Sequence, residues 1–224
     1  MTRTRFHQGL DELKQRLLIM GGMAEQAVDR AIHAYATRDV TLCKRVLEDE
    51  KAINASEREI DEIAVDLLAM QQPMAIDLRF LFSVIKINAD LERVGDQAVN
   101  IAERVIDLAK SPVAELPVDI AHMASISAAM VHQSLQAFIE ENAELAQQVL
   151  ERDDVVDAIN REAFESLTKV MKDNPALTRQ ALDALIVARN LERVADHATN
   201  IAEDVIFWVR GADVRHPARR AVPG

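Results

Sequence analysis

The segment LERVGDQAVNIAERVI at 91–106 is restated as LERVADHATNIAEDVI at 191–206. A phrase of that length, repeated one hundred positions later, constrains the chain to build one structural unit twice. The agreement includes letters that packing does not demand: Glu92, Arg93, Asp96, Asn100 and Glu103 recur as Glu192, Arg193, Asp196, Asn200 and Glu203. Duplication followed by drift preserves packing residues more readily than idle surface charge, so the repeated polar residues ask for a chemical reason.

The periodicity on either side of the repeat predicts helices. Leu10, Leu13, Leu17, Met20, Ala24, Ala27, Ala31 and Ala34 alternate spacings of three and four, one stripe of a long helix. Thr37, Arg38 and Asp39 interrupt it, with Asp39 as N-cap of a second helix whose stripe runs through Val46, Ile53, Ile60, Ile63 and Leu67 to the QQP at 71–73. A third helix starts near Met74, carries Leu91, Val94, Ala98, Ile101 and Val105 on its stripe, and ends before Ser111-Pro112, since proline drives the preceding residue out of helical geometry. SPVAELP reads as a linker, and the scheme resumes at about Pro117 with breaks near ENAE and KDNPAL. The last stripe, Leu191, Val194, Ala198, Ile201, Val205 and Trp208, stops at Gly211. Short loops force neighbouring helices antiparallel. The expected fold is therefore all-α: two tandem, similar three-helix antiparallel bundles, units 1–111 and 112–211, followed by a disordered tail at 212–224. A chain that is 49% apolar but only 4% aromatic suits a helical core, and six glycines and six prolines are too few for an all-β chain, which needs turns about every 8–12 residues. MGGM at 20–23 sits inside a helix, where each glycine costs roughly 1 kcal/mol relative to alanine. Close approach of another helix is the preferred reading, with a functional hinge as the alternative.

Charge and cysteine usage narrow the function. Lys and Arg number 26 against 37 Asp and Glu, a net charge of −11 that repels phosphate backbones and argues against nucleic-acid binding. The single cysteine, Cys43, has no disulfide partner, and no Cys/His cluster builds a thiolate zinc site; a buried, inert thiol is expected. The N-terminal MTRTRFHQGLDELKQRL lacks an apolar signal region, and no apolar run reaches about 18 residues. The expectation is a soluble cytoplasmic protein with no direct membrane insertion.

By the helical period, Glu92 and Asp96 fall opposite the apolar stripe of the third helix, facing outward, four residues apart. Like charges at that spacing destabilise a helix unless a cation sits between them. Glu192 and Asp196 reproduce the pair. Aligning Val46 and Ile53 with Val149 and Val156, an offset of 103, makes Glu50 and Asn54 coincide with Asp153 and Asp157 on the middle helix of each unit. A loop shortened by three residues reconciles the offsets of 103 and 100. Each unit thus offers four oxygen-bearing side chains on adjacent helices, the ligand set of a hard cation such as iron, manganese, magnesium or calcium. The plain alternative is a solvated acidic face, on which Arg93 and Arg193 pair with the carboxylates at about 0–1 kcal/mol. Asn100 and Asn200 are either further ligands or solvent-facing amides, and His197, matched by Gln97, is read as incidental.

DLRFLFSVIKINADLERVGDQAVNIAE and ARNLERVADHATNIAED resemble the two signature segments of the PhoU family of phosphate transport accessory proteins, and MGGMAEQAVDRAI fits as well. The resemblance spans Arg5 to Gly211. It implies paired three-helix bundles binding multinuclear metal clusters through E/D-x-x-x-D motifs: Glu92 and Asp96 with Glu50 and Asn54 at one, Glu192 and Asp196 with Asp153 and Asp157 at the other. Asn54 departs from an all-acid pattern, which implies a weaker first site. The resemblance further implies a homodimer in phosphate homeostasis, a negative regulator linking a phosphate-transporter ATPase to a sensor histidine kinase. Two rival classes stand beside this non-catalytic adaptor. One is a metal-dependent all-α enzyme of the nucleotide pyrophosphohydrolase kind, disfavoured because the chain lacks a glycine-rich phosphate loop, a nucleophile–base pair and Glu-x-x-His pairs. The other is a purely structural helical adaptor.

Overall fold

The computed structural model describes residues 3–71, 73–212 and 214. The described residues form six long helices and contain no strand: α1 (Arg3–Thr37), α2 (Val40–Gln71), α3 (Ile76–Leu108), α4 (Ile120–Glu140), α5 (Ala143–Asp173) and α6 (Thr178–Arg210), with a 3₁₀ turn over Pro175–Leu177 before α6. The tail expected to be disordered lies, from residue 215, outside the described residues. No described helix is long and apolar enough to cross a membrane.

Local chemistry sets the boundaries. Asp39 accepts from the Thr41 backbone N–H at 2.7 Å, satisfying an orphan donor of the first turn of α2 as the sequence requires. Asp119 and Asn142 do the same for α4 and α5, accepting from His122 N–H at 2.9 Å and Leu145 N–H at 3.0 Å. Gly211 closes α6 in the left-handed conformation (φ 69°), its N–H donating to the Phe207 carbonyl at 2.8 Å.

The repeat is carried by the core. Cys43, Val46, Ile53, Ile60 and Ala64 of α2 are buried, and so are Ala146, Val149, Val156, Ala163 and Leu167 of α5, each 103 positions later. Leu91, Val94, Ala98, Ile101 and Val105 of α3 match buried residues of α6 at a spacing of 100. The connections 72–75 and 174–177 are equally long, so the three residues are lost not from a loop, as expected, but from the flanking helix ends: α2 runs one residue further than α5, and α3 begins two residues earlier than α6. Cys43 is fully buried, and burial pushes its thiol pKa up, which suppresses the reactive thiolate.

The halves share one main core, for buried residues of all six helices form one continuous cluster, with only a small satellite of Leu167, Ala181 and Ala184 apart from it. α3 and α6 lie at its centre in antiparallel contact. Ser83 Oγ donates to the Asp204 carbonyl at 2.9 Å, His197 Nδ1 lies 2.9 Å from Asp90 Oδ1, and Arg179 Nη2 lies 3.3 Å from Asp107 Oδ2. Lys86 reaches the nearly buried Asp204 carboxylate in the same seam. α1 packs antiparallel on α4, and there one glycine of MGGM finds its reason: a Cβ on Gly21 would sit 2.8 Å from Leu135 Cδ1. Nothing lies within 4 Å of a Cβ at Gly22, so packing does not explain that residue.

Candidate metal centres

α2 and α3 pack with their site residues in a common groove. Glu50 and Asn54 project from α2, Glu92 and Asp96 from α3, and all four are half-buried. Asn54 Nδ2 donates to Glu50 Oε1 at 3.2 Å, which leaves Asn54 Oδ1 buried without a hydrogen-bond partner. Burial raises the Glu92 carboxyl pKa first, and the charges of Asp96, Glu57 and Glu50 raise it further against the opposing pull of Arg93. Asp96 is raised by burial and by Glu50, with His197 acting the other way. These mutual repulsions mark which groups converge.

They also bring in a residue that the matched letters of the repeat miss. Glu57, seven positions after Glu50 on the same helical face, is half-buried, and its carboxyl is raised by burial and by Asp61 and Asp96. Its counterpart in the second half, by the offset of 103, is Asn160. Amide and acid have exchanged places: the first half has Asn54 and Glu57 where the second has Asp157 and Asn160. Each half therefore carries four acids and one amide, which removes the charge argument for a weaker first site.

The second groove, between α5 and α6, holds Asp153, Asp157, Glu192 and Asp196. Asp153 is pushed up to about 6 by burial and then by Asp196, Asp157, Asp154 and Glu192. Glu192 is raised by burial and by Asp196, against Arg189. Asp196 is the most open of the four to solvent, yet partial burial and the Asp157 charge raise its carboxyl too. Asp153 Oδ1 and Glu192 Oε2 are buried without hydrogen-bond partners. Arg189 Nη1 lies 3.0 Å from Glu192 Oε1 and Arg161 Nη1 3.6 Å from Asp157 Oδ2.

Three sequence expectations change here. Glu92, Asp96 and Glu192 do not lie on the face opposite the core but in a flank groove, because α3 and α6 have packed neighbours on more than one side; Glu192 keeps only 12% of its side chain exposed. Asn200 is turned to the α3–α6 seam, where it donates to Asp90 Oδ1 at 3.1 Å, and its counterpart Asn100 is half-buried. His197 is no bystander, since it and Asn200 jointly hold the 8%-exposed Asp90 side chain. Arg93 approaches Asp90 at 3.8 Å while its charge also acts on Glu92, and Arg189 rather than Arg193 makes the close contact to Glu192.

The chemistry of both grooves fits a hard cation. Orphaned buried oxygens and carboxylates that repel one another are the surroundings such an ion relieves. Among the described residues no three acidic, imidazole or thiol groups already close around a point. A cation held there would require the Asp and Glu side chains to rotate toward one another.

A proton competes with any cation at Asp153. Its folded pKa of about 6 lies above the ordinary 3.8, so without a cation the charged form costs stability above that pKa and the cost is relieved as pH falls through it. Cation affinity at the second groove should run oppositely, falling about tenfold from pH 7 to pH 5 as one proton is taken up. Titration calorimetry with Mn²⁺ checks this, and a pH-independent affinity would place the cation elsewhere.

A tandem three-helix repeat with one acidic interhelix groove in each half defines an all-α class of duplicated bundle. The chain belongs to the PhoU family, whose PhoU domain matches residues 17–105 and again 120–205. It is 40% identical over 215 residues to the phosphate-specific transport system accessory protein PhoU homolog of Pseudomonas aeruginosa, covering 95% of this chain and 88% of the relative. It is 32% identical over 212 residues to the phosphate-specific transport system accessory protein PhoU of Escherichia coli, covering 95% and 88%. The crystal structure of PhoU from Pseudomonas aeruginosa aligns with a TM-score of 0.89 at 38% identity, over 92% of this chain and 100% of that one. That of the phosphate transport system regulatory protein PhoU from Streptococcus pneumoniae aligns with a TM-score of 0.87 at 28% identity, over 94% and 100%.

Proposed function

We propose that this chain is a non-catalytic, cation-binding negative regulator of phosphate uptake and of the phosphate-starvation response. The observation that carries the cation part is the pairing, in each half, of converging carboxylates with buried oxygens that have no partner: Asn54 Oδ1 in the first groove, Asp153 Oδ1 and Glu192 Oε2 in the second. Glu50, Asn54, Glu57, Glu92 and Asp96 hold iron, manganese or magnesium in the first groove, and Asp153, Asp157, Glu192 and Asp196 in the second. A bound cation supplies charge neutralisation and ties α2 to α3, or α5 to α6. The carboxylates orient it, and the arginines on the rim limit how much negative charge remains.

The regulatory part rests on family membership and on the names of relatives, which are accessory and regulatory proteins of phosphate-specific transport. On this reading the chain works in the cytoplasm as a homodimer between the transporter ATPase and the sensor histidine kinase. With net charge −11 it reaches an anionic membrane through those partners rather than through lipid. Deleting the gene should switch on phosphate-starvation promoters in phosphate-rich medium. Complementation with the wild-type chain should restore repression, and the variant Glu92→Gln/Asp96→Asn/Glu192→Gln/Asp196→Asn should restore it only weakly while retaining wild-type helicity. Unchanged promoter activity in the deletion strain would refute the regulatory assignment; full rescue by the variant would refute the role of the cation.

A further inference from the structure

Beside the second acidic groove, α5 and α6 leave a hollow of about 680 Å³ on the surface. Phe164, Leu185 and Ile186 form its apolar part, and Arg161, Arg189 and Arg193 stand around it. Phe164 is 57% exposed, a large aromatic left in water, and all three arginines are exposed. Arg161 and Arg193 recur in the first half as Arg58 and Arg93, but the fold does not require the rest. In the first half the equivalent of Phe164 is Asp61, that of Ile186 is Lys86, and that of Arg189 is Ala89. There the positions are used internally: Asp61 accepts from Asn88 Nδ2 at 2.9 Å, and Lys86 binds Asp204. One copy of the duplicated unit has closed this surface with polar contacts, and the other has opened it as an apolar hollow ringed by guanidinium groups.

Charge decides what fits. The chain as a whole carries −11, so three arginines against one acid, Glu165, on an apolar hollow are a local reversal of sign. Two of them lean on carboxylates of the neighbouring quartet, Arg189 on Glu192 at 3.0 Å and Arg161 on Asp157 at 3.6 Å. A cation bound by that quartet would neutralise those carboxylates and leave the guanidinium groups free to face outward.

We propose that the α5–α6 hollow is a docking site for an amphipathic helix of a protein partner, one with an apolar ridge flanked by Asp and Glu, and that cation binding at the neighbouring quartet opens it. This rests on the cation reading above. A helix laid along two antiparallel helices places residues at i, i+3 or i+4, and i+7 against Phe164, Leu185 and Ile186. Carboxylates on its flanks then reach Arg161, Arg189 and Arg193, where paired geometry sets orientation and excludes basic partners.

The test uses the full chain and a synthetic amphipathic helix of about 20 residues, a Leu ridge flanked by Glu, with a Lys-for-Glu version as control. Fluorescence anisotropy is read with saturating Mn²⁺ and with EDTA, and Mn²⁺ uptake is measured in parallel. The Glu helix should bind at least tenfold tighter than the Lys helix in Mn²⁺, and EDTA should abolish that preference. Phe164→Asp, which installs the first half's residue, should weaken binding at least tenfold while Mn²⁺ uptake stays undiminished. If Mn²⁺ binds but the variant holds the Glu helix like wild type, or EDTA changes nothing, the docking proposal is overturned and the cation reading stands. Absence of Mn²⁺ uptake overturns both. Mn²⁺-dependent dimerisation abolished by Phe164→Asp, or binding to phosphatidylglycerol vesicles in place of the peptide, would assign the hollow to a second copy or to a membrane and overturn it likewise.

Discussion

Replacing Phe138 by alanine should lower stability by about 3–5 kcal/mol, the usual cost of emptying a buried phenylalanine site. Phe138 lies on α4 with no exposed surface. Its ring stacks on Phe80 of α3 at 6.1 Å and tilts against Trp208 of α6 at 5.2 Å, while Lys14 Nζ of α1 sits 5.7 Å from its centroid. Four helices from both halves thus meet at one side chain. For a chain of this size the loss corresponds to a fall in Tm on the order of 10 °C. Because the halves share one core, the melt should remain a single transition. Two separated transitions in the variant or the wild type would show that each bundle folds independently.

The second large effect is a crossing of stabilities. In EDTA burial first, and then repulsion from the neighbouring carboxylates, disfavours the charged forms of Asp153, Glu192 and Asp196, so Asp153→Asn should be more stable than wild type at pH 7. With Mn²⁺ at about 100 times its Kd, the wild type should gain about 2.7 kcal/mol per site, a Tm rise of about 5–10 °C. Asp153→Asn should lose most of the second site's share. The order of the two proteins therefore reverses between EDTA and Mn²⁺, a pattern that a solvated acidic surface cannot produce. Differential scanning fluorimetry reads it, and an unchanged order would mean that the second groove holds no cation.

Much of this architecture is legible in the letters, and the places where it is not have physical reasons. Stripes, caps and the offsets of 103 and 100 are local or periodic, so the sequence carries them directly. The direction of Glu92 and Asp96 is not, because a 3.6-residue period reports the most buried face of a helix and says nothing of a second neighbour beside it. α3 and α6 each have several packed neighbours, which turns an outward face into a groove. Glu57 escaped because comparing the repeats letter by letter rejects a position where the second copy has Asn160; only the compensating change at Asn54 and Asp157 reveals it. The Asp90–His197 contact joins α3 to α6 across the two halves, and its residues match no acid or imidazole in the other copy, which has Asn190 and Gln97.

The central claim is that the acidic grooves bind cations, and elemental analysis tests it most directly. Wild-type chain and the variant Glu92→Gln/Asp96→Asn/Glu192→Gln/Asp196→Asn would be loaded with Mn²⁺ or Fe³⁺, desalted, and measured for metal per chain. The wild type should retain at least one ion in each half and the variant almost none, with equal helicity by circular dichroism. Equal metal content in the two proteins would contradict the account.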